Sequence, residues 1–412
     1  MSHTTGEAEE TPLRAPATAA TTAPARTRSP GPSGGWTLGV ECPGRLAFFP
    51  RPTAPPPEGG FVVETLYSGL SAGTELAFFK GTHPAIACAW DADLGVFDAA
   101  GPGTGFPVER LGYMEVGRVT DSRTGGVRPG DVLAMRYGHA DGHTAGPGEF
   151  HIALPPGLDP LLGVFVAHMG PICANGVLHA AAEEDPSGDP DLGAGVRDRA
   201  VLVMGAGVVG LLTGLFARHH GAREVAVADP TAERLRAAER LGLIPVDASA
   251  TATWRWAKDR WDHGPGDCGA DVVFQCRGQG AALATGLRSL RLQRTVIDLA
   301  FYQGGADEVR LGEEFHHNGL GIRCAQIGRV PRGTAAAWDR RRLAAATVDL
   351  LVAHGDAVRE ALVTDVVPFQ DAPAVVADLA ARRRHAVQVV FVADAVSRGP
   401  SSADLRRRAS DR

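Results

Sequence analysis

Lysine is nearly missing from this chain. Its 412 residues include only two lysines, Lys80 and Lys258, so arginine supplies almost all of the 41 basic side chains. Against 47 carboxylates the formal net charge is −6, so no global basic field points to a nucleic-acid partner. Cysteine is sparse as well. The six cysteines lie at 42, 88, 173, 268, 276 and 324, and no two have C-x-x-C spacing. That removes the usual structural-zinc signature and suits reduced thiols in a cytoplasm, the location expected here. No run of 18 uncharged apolar residues exists, so neither a membrane span nor a membrane partner is expected. The N-terminus lacks a basic region followed by an apolar one, which excludes a secretory signal from the reading.

What is present divides by pattern. Residues 1–35, rich in Thr, Ala, Pro, Ser and Gly, read as a disordered tail, as do the arginine-rich residues 395–412. Residues 36–170 open with short β runs broken by Gly and Pro, among them "GFVVETLYSGLSAG", "EVGRVTDS" and "VRPGDVLAMRYG", and predict a β-barrel-like domain. Residues 171–324 alternate strands with helices of 10–15 residues, the pattern of βαβ units on a parallel sheet. Residues 325–394 contain "EALVTDVVPF", "DAPAVVADLAARR" and "AVQVVFV" and are expected to return to the first domain. The fold class is therefore α/β, a β-barrel domain with a doubly wound parallel sheet.

The parallel segment carries "VLVMGAGVVG". Gly205, Gly207 and Gly210 form a G-x-G-x-x-G array after a buried apolar strand and at the opening of a helix, with Val208 and Val209 in the helix's first turn. The first glycine permits the tight turn, the second lets a pyrophosphate approach the backbone, and the third allows close helix–strand packing. Asp229 ends the next strand, 19 residues after Gly210. A carboxylate there accepts hydrogen bonds from ribose hydroxyls and repels a 2′-phosphate, so NAD is expected over NADP. Arg234, one turn into the following helix, keeps NADP open. "QCRG", with Gly278, and "DLAFY", with Leu299 and Phe301, end two further strands, where ligands collect in open α/β sheets.

A glycine array placed after a β-rich domain resembles the medium-chain dehydrogenase/reductase superfamily, over about residues 36–394. "SGLSAGTE", "LGYMEVGRV" and "EFHHNGLGIRCAQIG" are similar to a branch that includes bacteriochlorophyllide hydroxyethyl dehydrogenases and threonine-dehydrogenase-like enzymes. The resemblance implies a GroES-like catalytic domain interrupted by a Rossmann domain, with a small-molecule substrate in the cleft between them. A homodimer is compatible with it. It also implies that backbone at Leu299–Phe301 faces the nicotinamide carboxamide.

The departures from the zinc enzymes of that superfamily define the expected chemistry. Where they place a metal-binding cysteine this chain has Ser71 or Ala72. Where they place the G-H-E histidine and glutamate it has Tyr113 and Met114. His168 and Cys173 are the donors left near the domain junction. No catalytic zinc is therefore expected. Tyr113 is the leading acid/base candidate and needs a cationic neighbour to serve as a base near neutrality. Thr74 matches a proton-relaying Ser/Thr, Glu75 either orients the loop or acts as a base, and His83 and His168 are titratable groups in cleft segments. The function expected is an NAD-linked, zinc-independent oxidoreductase of a secondary alcohol and its ketone. The alternatives are an NADPH-linked carbon–carbon double-bond reductase and a non-catalytic nucleotide-binding protein.

Overall fold

A computed structural model describes residues 34–393. Both expected tails lie outside the described residues, apart from the junction at 34–35. The chain opens with a hairpin, β1 (Gly35–Cys42) and β2 (Arg45–Arg51). β3 (Phe61–Gly69) leads into helix α1 (Ala72–Lys80), the short helix α2 (Pro84–Ala87) and a small hairpin of β4 (Ala89–Asp91) and β5 (Val96–Asp98). Strands β6 (Glu115–Ser122), β7 (Val132–Met135), β8 (Gly142–Ala145) and β9 (His151–Ala153) follow.

Helix α3 (Met169–Glu184) brings the chain to the parallel sheet. There β10 (Ala200–Met204), α4 (Val208–His219), β11 (Glu224–Asp229), α5 (Ala232–Arg240), β12 (Ile244–Asp247), α6 (Thr253–Arg260), β13 (Val272–Gln275), α7 (Gly280–Ser289), β14 (Thr295–Asp298) and β15 (Gly321–Cys324) alternate. Helix α8 (Arg340–Leu362), β16 (Val363–Pro368), α9 (Ala372–Ala380) and β17 (Gln388–Val392) complete the described chain.

The six-stranded sheet has the order β12-β11-β10-β13-β14-β15, and every pairing in it is parallel. The order reverses between β10 and β13, which opens a crevice at the carboxyl ends of those strands. All five residues of β10, "AVLVM", are buried, as a strand covered on both faces requires. The other large sheet runs β16-β17-β3-β6-β7-β9, with β8 also paired to β3. It is antiparallel except for β16 with β17. Strand β17, late in sequence, pairs directly with β3 through Val390–Gly69 and Phe391–Ser68.

Two segments differ from the sequence reading. The β run expected over "GFVVETLYSGLSAG" ends at Gly69, and the chain becomes helical from Ala72. The helix stops at Gly81, whose φ of 77° lets its N–H reach the Ala77 and Phe78 carbonyls. The 23-residue α8 was not anticipated. Asp339 caps it by accepting from the Arg342 N–H at 2.8 Å, and Leu343, Thr347, Leu350 and Leu351 bury one stripe. One core joins the two sheets: Val116 of β6 and Met114 just before that strand cluster with Val177 of α3, Val201 of β10 and Leu343 of α8.

Candidate active site

A cleft of about 730 Å³ opens at the crevice of the parallel sheet. Gly205, Gly207, Val208, Val209, Asp229, Gly278, Leu299 and Phe301 line it on one side. Ser71, Thr74, Tyr113 and His168 line it on the other. The two groups come from separate sheets and converge on one space. Gly210 and Glu75 do not line it.

The glycine positions differ in what each permits. Gly205 has φ 100°, and a Cβ there would lie 3.0 Å from Arg277 Cβ. Gly210 permits contact: a Cβ would meet the Gly205 carbonyl oxygen at 1.8 Å. A Cβ on Gly207 would meet nothing within 4 Å, so the backbone at the start of α4 faces open space where a pyrophosphate fits. Gly278 lets two strand ends approach, since a Cβ would lie 2.2 Å from the Phe301 carbonyl oxygen. The Asp229 carboxylate accepts from the Ala206 N–H at 3.0 Å and the Thr231 N–H at 2.9 Å. Carboxylate oxygens have about four lone-pair sites, so capacity remains for ribose hydroxyls. Arg234 Nη1 is 3.9 Å from Asp229 Oδ2, and Arg234 and Arg277 both line the cleft. These residues fit a dinucleotide.

On the opposite wall Tyr113 is the centre of a hydroxyl cluster. Its hydroxyl shares a hydrogen bond with Ser71 Oγ and donates to Thr74 Oγ1 at 3.3 Å. Burial lifts the Tyr113 phenol above its ordinary value of 10.0, and the Ser71 and Thr74 hydrogen bonds oppose that shift. It is therefore a phenol at neutral pH. The Tyr113 ring meets the His168 ring edge-on, with centroids 4.4 Å apart. Arg340 Nη1 donates to His168 Nδ1 at 3.1 Å, which leaves the ring proton on Nε2. Burial, then the charges of Arg136 and Arg340, push His168 down to about 3, so it is neutral at pH 7.

Glu75 sits beneath the cleft floor, 1% exposed. One oxygen accepts from the Ser71 N–H at 2.7 Å, and the other lies 2.8 Å from His139 Nε2, whose Nδ1 is 2.8 Å from Ser68 Oγ. Both Glu75 oxygens are engaged and Glu75 has no place in the cleft lining, so from the first turn of α1 it holds the Ser71 backbone. His83 has a structural place: its Nδ1 accepts from the Ala85 N–H at 3.2 Å, and its ring stacks on Phe78 at 3.9 Å and Phe301 at 5.4 Å. Gln303 Nε2 donates to the Gly73 carbonyl at 3.2 Å, tying the two walls together at the mouth. Sequence reasoning missed His139, Ser68, Arg136 and Arg340. Only Arg340 had a local signal, the D-R-R-R-L start of α8.

The donor set does not fit zinc. Ser71 and Tyr113 are bonded to each other, and Met114 is packed in the core, 1% exposed. Cys173 is fully buried, with Sγ directed to the Val209 carbonyl at 3.4 Å and its thiol pushed up to about 12, first by burial. Among the described residues no three His, Cys, Asp or Glu side chains are grouped to hold a metal ion.

Comparison with known proteins agrees with the fold. The Zinc-binding dehydrogenase family model matches residues 208–334. D-guloside 3-dehydrogenase of Escherichia coli K12 is 30% identical over 203 residues, which is 48% of this chain and 55% of that protein. Sorbitol dehydrogenase 1 of Saccharomyces cerevisiae is 34% identical over 110 residues, 26% of this chain and 31% of that one. The matches thus span about half, or less, of these relatives. A solved structure assigned as a zinc-binding dehydrogenase from Sinorhizobium meliloti 1021, bound to NADP, superposes with a TM-score of 0.66. It is 21% identical and covers 88% of this chain and 100% of that one. By its parallel sheet, its glycine array and these likenesses the chain resembles the medium-chain dehydrogenase/reductase superfamily.

Proposed function

We propose that the protein is an NAD-linked, zinc-independent oxidoreductase that interconverts a secondary alcohol and its ketone on a sugar- or polyol-like substrate. The observation that carries this reading is the Tyr113 hydroxyl, held by Ser71 and Thr74 in the same cleft as the nucleotide-side residues. The names of the guloside and sorbitol dehydrogenases support the substrate class. Asp229 supports NAD.

The residues divide the work as follows. The start of α4 at Gly207 would hold the pyrophosphate, Asp229 the adenosine ribose, and backbone at Leu299–Phe301 the nicotinamide. A dinucleotide held by these residues would supply the hydride acceptor or donor. Tyr113 faces the substrate oxygen. In ketone reduction the protonated phenol donates to the carbonyl oxygen as negative charge develops on it. In alcohol oxidation the phenol oxygen takes the substrate proton while its own proton passes to Thr74 Oγ1, and the half-buried Thr74 hands its proton outward. A neutral hydroxyl relay needs no phenolate, which agrees with the upward shift of Tyr113. Glu75 and His139 fix the loop that presents Ser71 and Thr74.

The test is NADH formation from NAD across a panel of secondary alcohols, sugars and cyclitols, with metal content measured on the same sample. Turnover with less than about one tenth of an equivalent of zinc is expected, because tight binding depends on ligand identity and number. Stoichiometric zinc whose removal by chelator abolishes turnover contradicts the reading.

A further inference from the structure

Two carboxylates end strands of the parallel sheet on either side of the glycine array, and the proposed function uses only one of them. Met204 of β10 is in register with Gln275 of β13, and Gln275 with Asp298 of β14. On the other side Met204 is in register with Ala228 of β11, the residue before Asp229. Gly205 follows Met204, so Asp229 lies one strand to one side of the glycine turn. Asp298 lies two strands to the other, about 10 Å away at the usual strand spacing. Both carboxylates line the cleft. Asp298 is 8% exposed. Its Oδ1 accepts from the Ala300 N–H at 2.9 Å and its Oδ2 from the Tyr302 hydroxyl at 3.0 Å, which in turn accepts from Gln275 Nε2 at 3.1 Å. All these donors are neutral. Asp229 has Arg234 at 3.9 Å and Asp271 has Arg291 at 2.9 Å, but among the described residues no cation pairs with Asp298. Arg277, also in the cleft lining, turns its Nε to Gln279 Oε1 at 2.8 Å.

A dinucleotide crosses a parallel sheet where the strand order reverses, with its two halves on opposite sides of the pyrophosphate. With the pyrophosphate at Gly207 and the adenosine ribose at Asp229, the nicotinamide half extends over the ends of β13 and β14, where Asp298 stands. The oxidised ring carries a positive charge and the reduced ring carries none. A carboxylate shielded from water and unmatched by a protein cation attracts the charged ring more strongly than one in solvent would. Both Asp298 oxygens accept hydrogen bonds, as an ionised carboxylate does. Burial lifts the acid above its ordinary 3.8, and the Ala300 and Tyr302 hydrogen bonds oppose that shift. A cation arriving in the cleft offsets the cost of that burial.

We infer that the Asp298 carboxylate selects the oxidation state of the dinucleotide, favouring NAD over NADH through the charge of the nicotinamide ring. This deepens the proposed function and rests on it for the identity of the nucleotide. The selection is a difference between two binding affinities, so it is measured without turnover. Its consequence is a cleft that fills with NAD and releases NADH.

The experiment titrates the full-length protein in a calorimeter, at about pH 8 where carboxylates are ionised, with NAD, NADH and ADP-ribose, which lacks the nicotinamide ring. Asp298→Asn and Tyr302→Phe are measured beside the parent, and circular dichroism confirms that each is folded. Asp298→Asn removes the charge at nearly constant shape. It should weaken NAD about tenfold relative to NADH and leave ADP-ribose within about twofold. Tyr302→Phe keeps the carboxylate and should leave the ratio of NAD to NADH affinity within about twofold. A ratio that moves less than about threefold in Asp298→Asn overturns the inference. Equal weakening of all three ligands does so as well, since Asp298 would then be a ribose contact or a packing residue. An equal shift of the ratio in Tyr302→Phe also overturns it, because the hydrogen bonds and not the charge would then discriminate. If Asp298→Asn does not fold, the parent decides: NAD bound at least as tightly as NADH supports the inference, and tighter NADH overturns it. All these outcomes leave the NAD-linked oxidoreductase standing. Failure of the parent to bind either nucleotide defeats that reading, and the inference with it.

Discussion

Tyr113 and Ser71 share a hydrogen bond across 42 residues of sequence, and that bond closes the floor of the cleft. By the resemblance noted in the sequence, Tyr113 and either Ser71 or Ala72 fall where zinc dehydrogenases hold metal ligands. Glu75 accepts from the Ser71 N–H and so holds the turn beneath that hydroxyl pair.

The nucleotide glycines give distinct outcomes. Gly207→Ala puts a methyl group into open space at an allowed φ of −82°, so the fold should keep its melting temperature while NADH binding weakens about tenfold or more. Gly210→Ala forces a Cβ to 1.8 Å from a backbone oxygen and should destabilise the protein by about 1–3 kcal/mol. Thermal melts with and without NADH separate the two. Equal loss of stability in both variants would show that the start of α4 is packed rather than open.

Asp229 should set cofactor choice. Its carboxylate, 2% exposed and beside the cleft, opposes a 2′-phosphate through like charge. NAD is expected to be preferred over NADP by at least about tenfold in kcat/KM, and Asp229→Ala should narrow that ratio. Arg234 and Arg277 then remain as cations for the phosphate. Equal use of both cofactors by the parent would reject the assignment.

Two buried histidines give opposite pH dependences. At His143 burial acts to lower the pKa, but the Glu115 and Glu149 carboxylates together lift it to about 9. Its Nδ1 lies 3.1 Å from Glu115 Oε2, a charge contact whose angle falls outside a hydrogen bond. Its stabilisation is whole below the unfolded value near 6.5 and declines as pH rises towards 9. His168, depressed to about 3, acts the other way: below about 6.5 the unfolded chain takes a proton that the folded one refuses, so stability falls as pH drops towards 3. Urea midpoints between pH 5 and 9 test this. His143→Gln should flatten the decline above 6.5, and a variant with the parent's slope there would show that His143 is neutral.

How far the sequence disclosed this site follows from the reach of each interaction. The glycine-array wall of the cleft was legible because the array from Gly205 to Gly210 and its buried strand are local and periodic. Tyr113 was legible through resemblance. The support under Glu75 was hidden, since His139 lies 64 residues from Glu75 and 71 from Ser68, and no local pattern reports a pairing across strands. The Arg340–His168 contact spans 172 residues. Helix α8 carries an apolar stripe and an Asp cap that are both local in sequence.

The most direct measurement is turnover by Tyr113→Phe after treatment with a chelator, on the best alcohol of the panel, with NADH affinity measured on the same preparation. Phenylalanine keeps the ring against His168 and removes only the hydroxyl. Turnover should fall about 10²-fold or more while NADH affinity stays within about twofold. Turnover within threefold of the parent would contradict the account, and Tyr113 would then be a packing residue of the cleft floor.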